Sequence, residues 1–377
     1  MTEQTASLTI ALLAAGKLSL HDAVTLYEAA GSACGVMEHR MDIRAVITDA
    51  ADSLAELLKG DLSAYVGRAE EELEWCAEKG VKVLTYADKA YPCRLRNCHD
   101  APLALFVRGE CDLNAAHIIN IVGTRQCTPY GRDVTESIVR DLKTLCPDVV
   151  IVSGLAYGID IAAHRAALRN GIATVGVVAH GQDRLYPQLH RTEANKMVTG
   201  GGAVVTEYCR GTRPEARNFL QRNRLIAGMC DATVVVESAA HGGGLVTARL
   251  AQDYGREVFA IPGPVNAEYS KGCNNLVRDN KAALITSADD IVSAMMWQDA
   301  AKADKARKQG IERTLFPELT ADEQRIVDAL KQHGDSQTNV LVMHTGLPIS
   351  TIVSQLFSLE MKGVVTSLPG NAFHLIS

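Results

Sequence analysis

Seven short apolar segments between residues 118 and 286 constrain the fold more strongly than any other feature of the sequence. They are rich in β-branched residues, and stretches with helical periodicity separate most of them. Strands that alternate with helices predict an α/β fold, an extended Rossmann-like, doubly wound and mostly parallel sheet. Ligands bind beyond the carboxyl ends of such strands, so the loops there are the candidate sites. The segments are 118–122, 149–152, 173–178, 203–206, 233–237, 257–261 and 283–286.

The length of 377 residues, with 47% hydrophobic and 22% charged residues, is enough for two or three domains. Apolar residues three and four apart predict an N-terminal helical domain over 1–80, either a helical-hairpin DNA module or a partner-docking bundle. The sheet predicts an extended Rossmann-like domain over 81–298. The polar stretch 299–316 is typical of a flexible linker. Helices followed by two apolar strands predict a C-terminal winged-helix domain over 317–377.

Composition and charge exclude several classes of protein. No apolar run reaches about 18 residues, and the N-terminal stretch has no basic cluster, so we expect a cytoplasmic protein without membrane contact. Ten cysteines without a C-x-x-C pair predict reduced thiols rather than disulfides or a metal site. A net charge of −6 argues against general polyanion binding, although it allows a local basic groove.

The segment SGLAYGIDIAAH at 153–164 lies between a predicted strand and a predicted helix. Glycines let the backbone approach a ligand, and the free N–H groups of a helix start attract an anion. We therefore predict a phosphate site that includes Ser153, Gly154 and Gly158, with a tight turn that only closes packing as the alternative. Tyr157 in the same segment is predicted to contribute a ring on which a base can stack. The segment lacks the G-K-[ST] ending of a P-loop, which disfavours nucleoside triphosphate hydrolysis.

Two further strand-end loops have features of an anion site. Gly123 and Arg125 follow the first parallel strand without the G-x-G-x-x-G pattern of a dehydrogenase. The guanidinium fork of Arg125 suits a phosphodiester oxygen, although a surface ion pair is equally plausible from the sequence. Gly242, Gly243 and Gly244 form a second cradle of backbone N–H groups before a helix. One phosphate would occupy only one such cradle, so the presence of two favours a polymeric ligand with successive phosphates.

The segment 207–228 has five arginines and two glutamates in a chain that is acidic overall. This local excess of positive charge, with neutral donors and aromatic rings nearby, is typical of a groove that follows a nucleic-acid backbone. A solvated basic face is the alternative. From this segment we predict Arg217, Arg222, Asn223 and Arg224 as DNA contacts.

Five motifs in order resemble the DNA-processing protein A family, also called DprA or Smf. The resemblance implies a Rossmann-like domain that binds single-stranded DNA, forms a homodimer and helps load RecA recombinase onto incoming DNA in natural transformation or recombination. It implies no enzymatic activity. Tyr157 stands where the family usually has a basic residue, and Gly242–Gly244 stand where Ser-Gly-Ser is usual. The motifs are IVGTR at 121–125, VSGLAYGIDIAAH at 152–164, FLQRNRLIAG at 219–228, VVESAAHGGGLVTA at 235–248 and GREVFAIPGP at 255–264.

Two other functions remain open. A nucleotide phosphoribohydrolase of the lysine-decarboxylase-like superfamily would share the sheet, but Arg249 stands near the position where its glutamate is expected, so the required carboxylate is missing. Asp160 and His164, four residues apart, are a weak acid–base candidate, because Asp160 is more simply a helix cap. The second alternative is a non-catalytic, partner-binding scaffold. We therefore predict no catalytic residue, metal ligand or cofactor.

The C-terminal segment 317–377 has three basic and six acidic residues. Its presumed recognition helix has a basic residue, Lys362, only at its end. Strong duplex binding needs phosphate neutralisation, so we expect a protein-docking or regulatory role for this domain.

Overall fold

The chain divides into two compact units, Met1–Gln298 and Asp299–Ser377. The predicted linker 299–316 lies outside the described residues. The computed structural model describes residues 1–48, 50–297, 319–362, 364–368 and 372–375.

Five α-helices begin the first unit, and polar side chains fix where three of them start. Thr2, Ser19 and Ser32 each accept a hydrogen bond from a backbone N–H in the first turn of the helix that follows. Leu26 of these helices lies in the same hydrophobic core as Leu105 of the sheet, so the helices and the sheet share a core. The helices are α1 (Glu3–Ala14), α2 (Leu20–Ala30), α3 (Ala33–His39), α4 (Asp52–Lys59) and α5 (Ser63–Glu78), with a 3₁₀ helix at Arg40–Ala45.

A nine-stranded sheet forms the centre of the first unit. Its strands are β1 (Lys82–Thr85), β2 (Ala104–Gly109), β3 (Ile118–Val122), β4 (Val150–Ser153), β5 (Thr174–Val177), β6 (Ala203–Thr206), β7 (Ala232–Val235), β8 (Glu257–Ala260) and β9 (Ala283–Leu284). Their order is β1-β2-β6-β5-β4-β3-β7-β8-β9. The strands from β6 to β9 in this order are parallel, and β1 and β2 pair antiparallel at one edge. The predicted mostly parallel sheet is confirmed.

Helices cover both faces of this sheet, as a doubly wound fold requires. Alternate residues of β3 point to opposite faces: Val122 belongs to one hydrophobic core, and Ile121 to another. The helices are α6 (Cys93–Arg96), α7 (Pro129–Leu145), α8 (Ile159–Arg169), α9 (Arg191–Thr199), α10 (Ala216–Gly228), α11 (Gly243–Asp253), α12 (Lys271–Arg278) and α13 (Ala288–Ala294), with 3₁₀ helices at Gln188–His190 and Glu268–Ser270. The first core includes residues of α10 and α11, and the second includes residues of α7, α8 and α13.

The direction in which strands are added reverses between β3 and β7. After β3 the chain adds β4, β5 and β6 on one side, and it then returns to add β7, β8 and β9 on the other. The loops that follow β3 and β7 therefore diverge and leave a crevice at the carboxyl ends of these strands. This topological switch point is where the fold predicts a ligand.

The second unit has the winged-helix fold that the sequence predicts. Thr320 and Glu323 form a capping box that starts its first helix. The side chains of Ile349, Val353 and Phe357, four residues apart on its third helix, are exposed. The elements are α14 (Ala321–His333), β10 (Ser336–Gln337), α15 (Thr338–Thr345), α16 (Ile349–Met361), β11 (Val365–Leu368) and β12 (Ala372–Leu375), and the three strands form an antiparallel sheet.

In the described part of the chain, no single helix is long and apolar enough to cross a membrane. One pair, Thr338–Thr345 and Ile349–Glu360, reaches that length and composition only when its two helices, bent by 110°, are taken together.

Candidate functional site

A cavity of about 700 Å³ opens at the switch point of the sheet. The loops after β3 and β7, the start of α8 and one face of α10 form its walls. Of the residues predicted as a site, Gly123, Arg125, Arg222, Asn223, Gly242, Gly243 and Gly244 line this cavity.

Arg125 and Arg222 lie against the same aromatic ring at the cavity. The guanidinium carbon of Arg125 is 5.4 Å from the centre of the Phe219 ring, and that of Arg222 is 5.8 Å from it. Contacts of this kind hold a planar cation in place without neutralising it. Arg125 is exposed and forms no ion pair with a described residue, so its charge is available to a ligand.

Arg222 has a more structural position than Arg125. Its side chain is buried, and Nη1 donates hydrogen bonds to the carbonyl of Gly154, at 2.7 Å, and to the carbonyl of Val177. Burial lowers the pKa of Arg222 to about 10, which leaves the group charged near neutral pH. Arg222 therefore ties the ends of β4 and β5 to α10, and it also lends a positive charge to the cavity wall.

The predicted phosphate loop at 153–164 holds an internal carboxylate. Asp160 accepts hydrogen bonds from the backbone N–H of Gly154, at 3.1 Å, and from that of Ala156. Burial raises the pKa of Asp160, and the charge of Arg222 opposes this shift. Ser153 is fully buried, and its hydroxyl donates to the carbonyl of Ile121 at 2.6 Å. The N–H groups of this loop that the sequence assigns to a phosphate are thus partly satisfied by the protein itself.

Gly158 is required for packing of the loop. Its φ is +79°, and a Cβ atom there would lie 2.1 Å from the carbonyl oxygen of Thr124. Tyr157 points elsewhere: its ring contacts the ring of His190 at 5.1 Å, is 41% exposed and does not line the cavity. The absence of a side chain at Gly158 therefore allows the loop after β4 to pack against the loop after β3. The ring of Tyr157 is partly exposed beside these two loops.

The start of α11 is a more open anion-binding site than the loop at 153–164. No side chain caps this helix, and a Cβ atom added at Gly243 would meet no atom within 4 Å. Gly244 instead packs on the loop after β3, since its Cβ would lie 3.3 Å from the Cα of Gly123. An uncapped helix start that borders a cavity has N–H groups available to an anion.

Glu237, two residues after the end of β7, holds the loop after β3 in position. Its backbone carbonyl accepts from the N–H of Thr124 at 2.7 Å. Its carboxylate accepts from the N–H of Thr128 at 2.9 Å and from the hydroxyl of the same residue at 2.5 Å. This buried side chain thus fixes the segment that carries Arg125.

The five arginines of 207–228 separate into different environments. Arg224 is buried, pairs with Glu207 and donates to the carbonyl of Asp100 at 2.5 Å. Arg210 pairs with Glu71 and Glu72 of α5 at 3.3 and 3.4 Å. Of these five, only Arg213 and Arg217 are exposed and form no ion pair with a described residue, and neither lines the cavity.

Asp160 and His164 do not form an acid–base pair in the structure. His164 is fully buried, and its Nδ1 lies 2.7 Å from the hydroxyl of Thr174 rather than next to Asp160. Burial lowers the pKa of His164 to about 3. Among the described residues, no group of three or more His, Cys, Asp or Glu could hold a metal ion. All ten cysteines are free thiols.

Several lining residues are absent from the sequence-based prediction. Gln126 and Tyr269 meet at the cavity through a side-chain hydrogen bond, and Leu220 and His241 also line it. Tyr269 precedes α12, far from the glycine loops in sequence, so spacing alone gives no indication of it. The apolar Leu220 is 58% exposed, which an apolar residue in a helix does not predict.

Comparison with known families identifies this architecture. Residues 82–296 match the family described as DNA recombination-mediator protein A, and residues 313–371 match the DprA winged helix domain. The chain belongs to the DprA family. The recognised resemblance is therefore confirmed, and it extends to the C-terminal unit.

Individual members of the family are similar over most of the chain. Protein Smf of Escherichia coli is 33% identical over 314 residues, which cover 81% of this chain and 80% of that protein. DNA processing protein DprA of Streptococcus pneumoniae is 38% identical over 206 residues, which cover 55% of this chain and 71% of that protein.

Two solved structures have a similar fold. The X-ray structure of DprA from S. pneumoniae matches with a TM-score of 0.57 and 29% identity, covering 78% of this chain and 93% of that one. A DprA structure from Helicobacter pylori, described as giving insights into its single-stranded DNA binding mode, matches with a TM-score of 0.51 and 28% identity, covering 57% of this chain and 95% of that one.

Proposed function

We propose that this protein binds single-stranded DNA at the switch-point cavity and acts in DNA recombination or natural transformation. The observation that carries the proposal is the exposed guanidinium of Arg125, which has no ion-pair partner among the described residues and lies over the ring of Phe219 at the cavity. A charge beside an aromatic ring suits a nucleotide, which offers a phosphate and a base together. The DprA protein from H. pylori binds single-stranded DNA, which supports single-stranded DNA as the ligand of this protein.

In the proposed complex, Arg125 and the N–H groups of Gly243 and Gly244 bind backbone phosphates. Asn223 donates to the sugar or phosphate, and a base stacks on the part of Phe219 that the arginines leave free. Such contacts do not distinguish base identity, so we expect little sequence preference. A stacked base must also leave its duplex partner, which favours a single strand over a double strand.

The remaining predicted residues have different roles in this proposal. Arg217 and Tyr157 are exposed and extend the binding surface beyond the cavity. Ser153, Gly154, Gly158 and Arg224 hold the loops and α10 in place through buried contacts, and we assign them no direct DNA contact. Gly123 contributes its backbone to the cavity wall.

We also propose a cytoplasmic homodimer that assists assembly of RecA on single-stranded DNA, without enzymatic activity of its own. The family description as a recombination mediator supports this role. The test is the rate at which RecA forms filaments on single-stranded DNA with and without the protein. An unchanged rate over a range of protein concentrations would contradict this part of the proposal.

Direct binding is tested with labelled oligo(dT) of about 20 nucleotides and a duplex of the same length, at matched salt. We expect the single strand to bind at least about tenfold more tightly, which corresponds to about 1.4 kcal/mol. Equal affinity for the single strand and the duplex would contradict the proposal that the switch-point cavity is a single-strand binding site. The scaffold alternative predicts no binding of either DNA, even at low salt.

A further inference from the structure

A second cavity, of about 530 Å³, lies beside α5 and α9 and is separate from the switch-point cavity. Four cationic side chains line it, and they come from four different parts of the first unit: Lys79 immediately follows α5, Arg108 lies on β2, Arg184 follows β5 and Arg191 begins α9. Asp183 is the one carboxylate among its lining residues. The cavity therefore concentrates positive charge in a chain whose net charge is −6.

The four cations are not equally available. Arg184 pairs with Asp183 at 2.8 Å, and Arg108 donates to the carbonyl of Gln182 at 3.1 Å. Lys79 and Arg191 are exposed and form no ion pair with a described residue. Among the described residues, three of the four cations thus have no carboxylate partner, and two of these, Lys79 and Arg191, are also exposed.

Trp75 supplies the aromatic surface of this cavity. It is half-buried on α5, one helical turn before Lys79. The indole and the exposed cations Lys79 and Arg191 around one cavity repeat the combination of Phe219 with Arg125, and they again suit a base together with phosphates.

One short segment connects the two cavities. Leu185 and Gln188 line the second cavity, while Tyr186, between them, contacts Phe219 of the first with ring centres 5.8 Å apart. Tyr186 is 44% exposed. An exposed ring therefore lies between the two cavities, where a strand that leaves Phe219 would meet it.

We propose that the second cavity is a second binding site for the same single strand of DNA. The strand leaves the switch-point cavity, passes over Tyr186, and places phosphates on Lys79 and Arg191 and a base on Trp75. This inference rests on the proposed function, and it adds a second contact region that only a longer strand reaches.

The test compares oligo(dT) of about 6 and about 20 nucleotides. The double variant Lys79→Ala/Arg191→Ala should bind the longer strand about tenfold more weakly and the shorter one within twofold of the unmodified protein. The control is Arg140→Ala/Lys143→Ala, which removes one exposed and one half-buried cation from the C-terminal half of α7. It should not change either affinity. Arg125→Ala should weaken both strands.

Tryptophan fluorescence gives a second measurement. The chain has two tryptophans, and Trp297 is 6% exposed and stacks on His117. In a Trp297→Phe variant, Trp75 is the sole emitter, and the longer strand should quench it more strongly than the shorter one. Anisotropy of labelled DNA does not depend on this variant and tests the affinities independently.

The outcomes separate the two proposals. If the double variant binds the longer strand as tightly as the control does, or if both lengths lose affinity equally, the second site is wrong and the first stands. If the unmodified protein binds neither length, the proposed function fails, and the second site fails with it.

Discussion

Individual arginines in this protein differ in what they can do, although they are neighbours in the sequence. Arg125 places an exposed charge at a cavity, Arg222 donates hydrogen bonds to two carbonyls, and Arg224 neutralises a buried carboxylate. Substitution of each should therefore change a different measured quantity.

Arg125→Ala should weaken single-strand binding without loss of stability. If Arg125 neutralises one phosphate, the slope of log affinity against log salt should fall by about 0.7 to 1. The measurement is a salt titration with oligo(dT), with Arg140→Ala as the control that removes an exposed arginine elsewhere. An unchanged slope with a lower melting temperature would assign Arg125 to structure.

Arg224→Ala should instead destabilise the fold. The change leaves Glu207 buried without its partner, because the two side chains are 6% and 10% exposed. We expect a loss of about 3–5 kcal/mol in the free energy of unfolding, measured with urea. Arg217→Ala, at an exposed position, should stay within about 0.5 kcal/mol.

The double variant Glu207→Gln/Arg224→Met should recover part of the loss, because no unpaired charge then remains buried. A stable Arg224→Ala protein with reduced DNA affinity would contradict this assignment and favour a direct contact.

At the scale of helices and strands, the sequence predicts the sheet well. Segments of β-branched residues identify β3 to β8, because parallel strands are buried on both faces. The predicted segment 283–286 contains the edge strand β9, whose two residues are exposed. The prediction does not include β1 and β2. Only the short helix α6 lies between them, so they lack the alternation of strand and crossover helix from which the other strands are predicted. The glycine loops are found for a similar reason: a strand followed by glycines and a helix is a local pattern.

The environments of the arginines are not local. Arg210 meets Glu72, 138 residues earlier in the chain, and Arg222 reaches the carbonyl of Val177, 45 residues earlier. Charge counted along 207–228 therefore overstates the charge that faces solvent. Spacing also gives no sign that Asp160 satisfies the N–H groups of its own loop.

In the winged-helix unit, one buried carboxylate joins two helices. Glu323 at the start of α14 pairs with Lys362 at the end of α16 and accepts from Ser358 at 2.8 Å. The basic residue at the end of the presumed recognition helix is thus engaged by the protein. This arrangement and the exposed apolar side chains of α16 favour a protein-docking role over duplex binding.

Glu323→Gln should reduce the stability of α14 against local unfolding. Burial raises the pKa of Glu323, but the bonds from Lys362, the Thr320 N–H and Ser358 outweigh it and lower the pKa to about 2. Because this value lies below the ordinary 4.5, the carboxylate's contribution is fully present above about pH 4.5 and is lost as the pH falls towards 2.

At pH 7 the variant should lose about 2 kcal/mol of protection against amide exchange over 321–333, measured by mass spectrometry. Asp328→Asn, an exposed change on the same helix, is the control. Equal protection in Glu323→Gln and the unmodified protein would show that the pair is not stabilising.

On the scale of the whole molecule, the proposed DNA contacts all lie in the first unit. Deletion of 299–377 should leave most single-strand affinity in place, because the deleted segment is net negative and its helix α16 presents apolar rather than basic side chains. The measurement is anisotropy on a truncated protein shown to fold by circular dichroism. A loss of tenfold or more, about 1.4 kcal/mol, would show that the second unit contributes directly to binding.

The core that the N-terminal helices share with the sheet affects how the chain must be made. Leu26 packs in the same core as Leu225 of α10, which the ribosome adds about 200 residues later. At ordinary synthesis rates of about 5–20 residues per second, that interval is roughly 10 to 40 seconds. Throughout it, the first helices lack part of the surface that buries them, so the nascent chain is a natural client for chaperones.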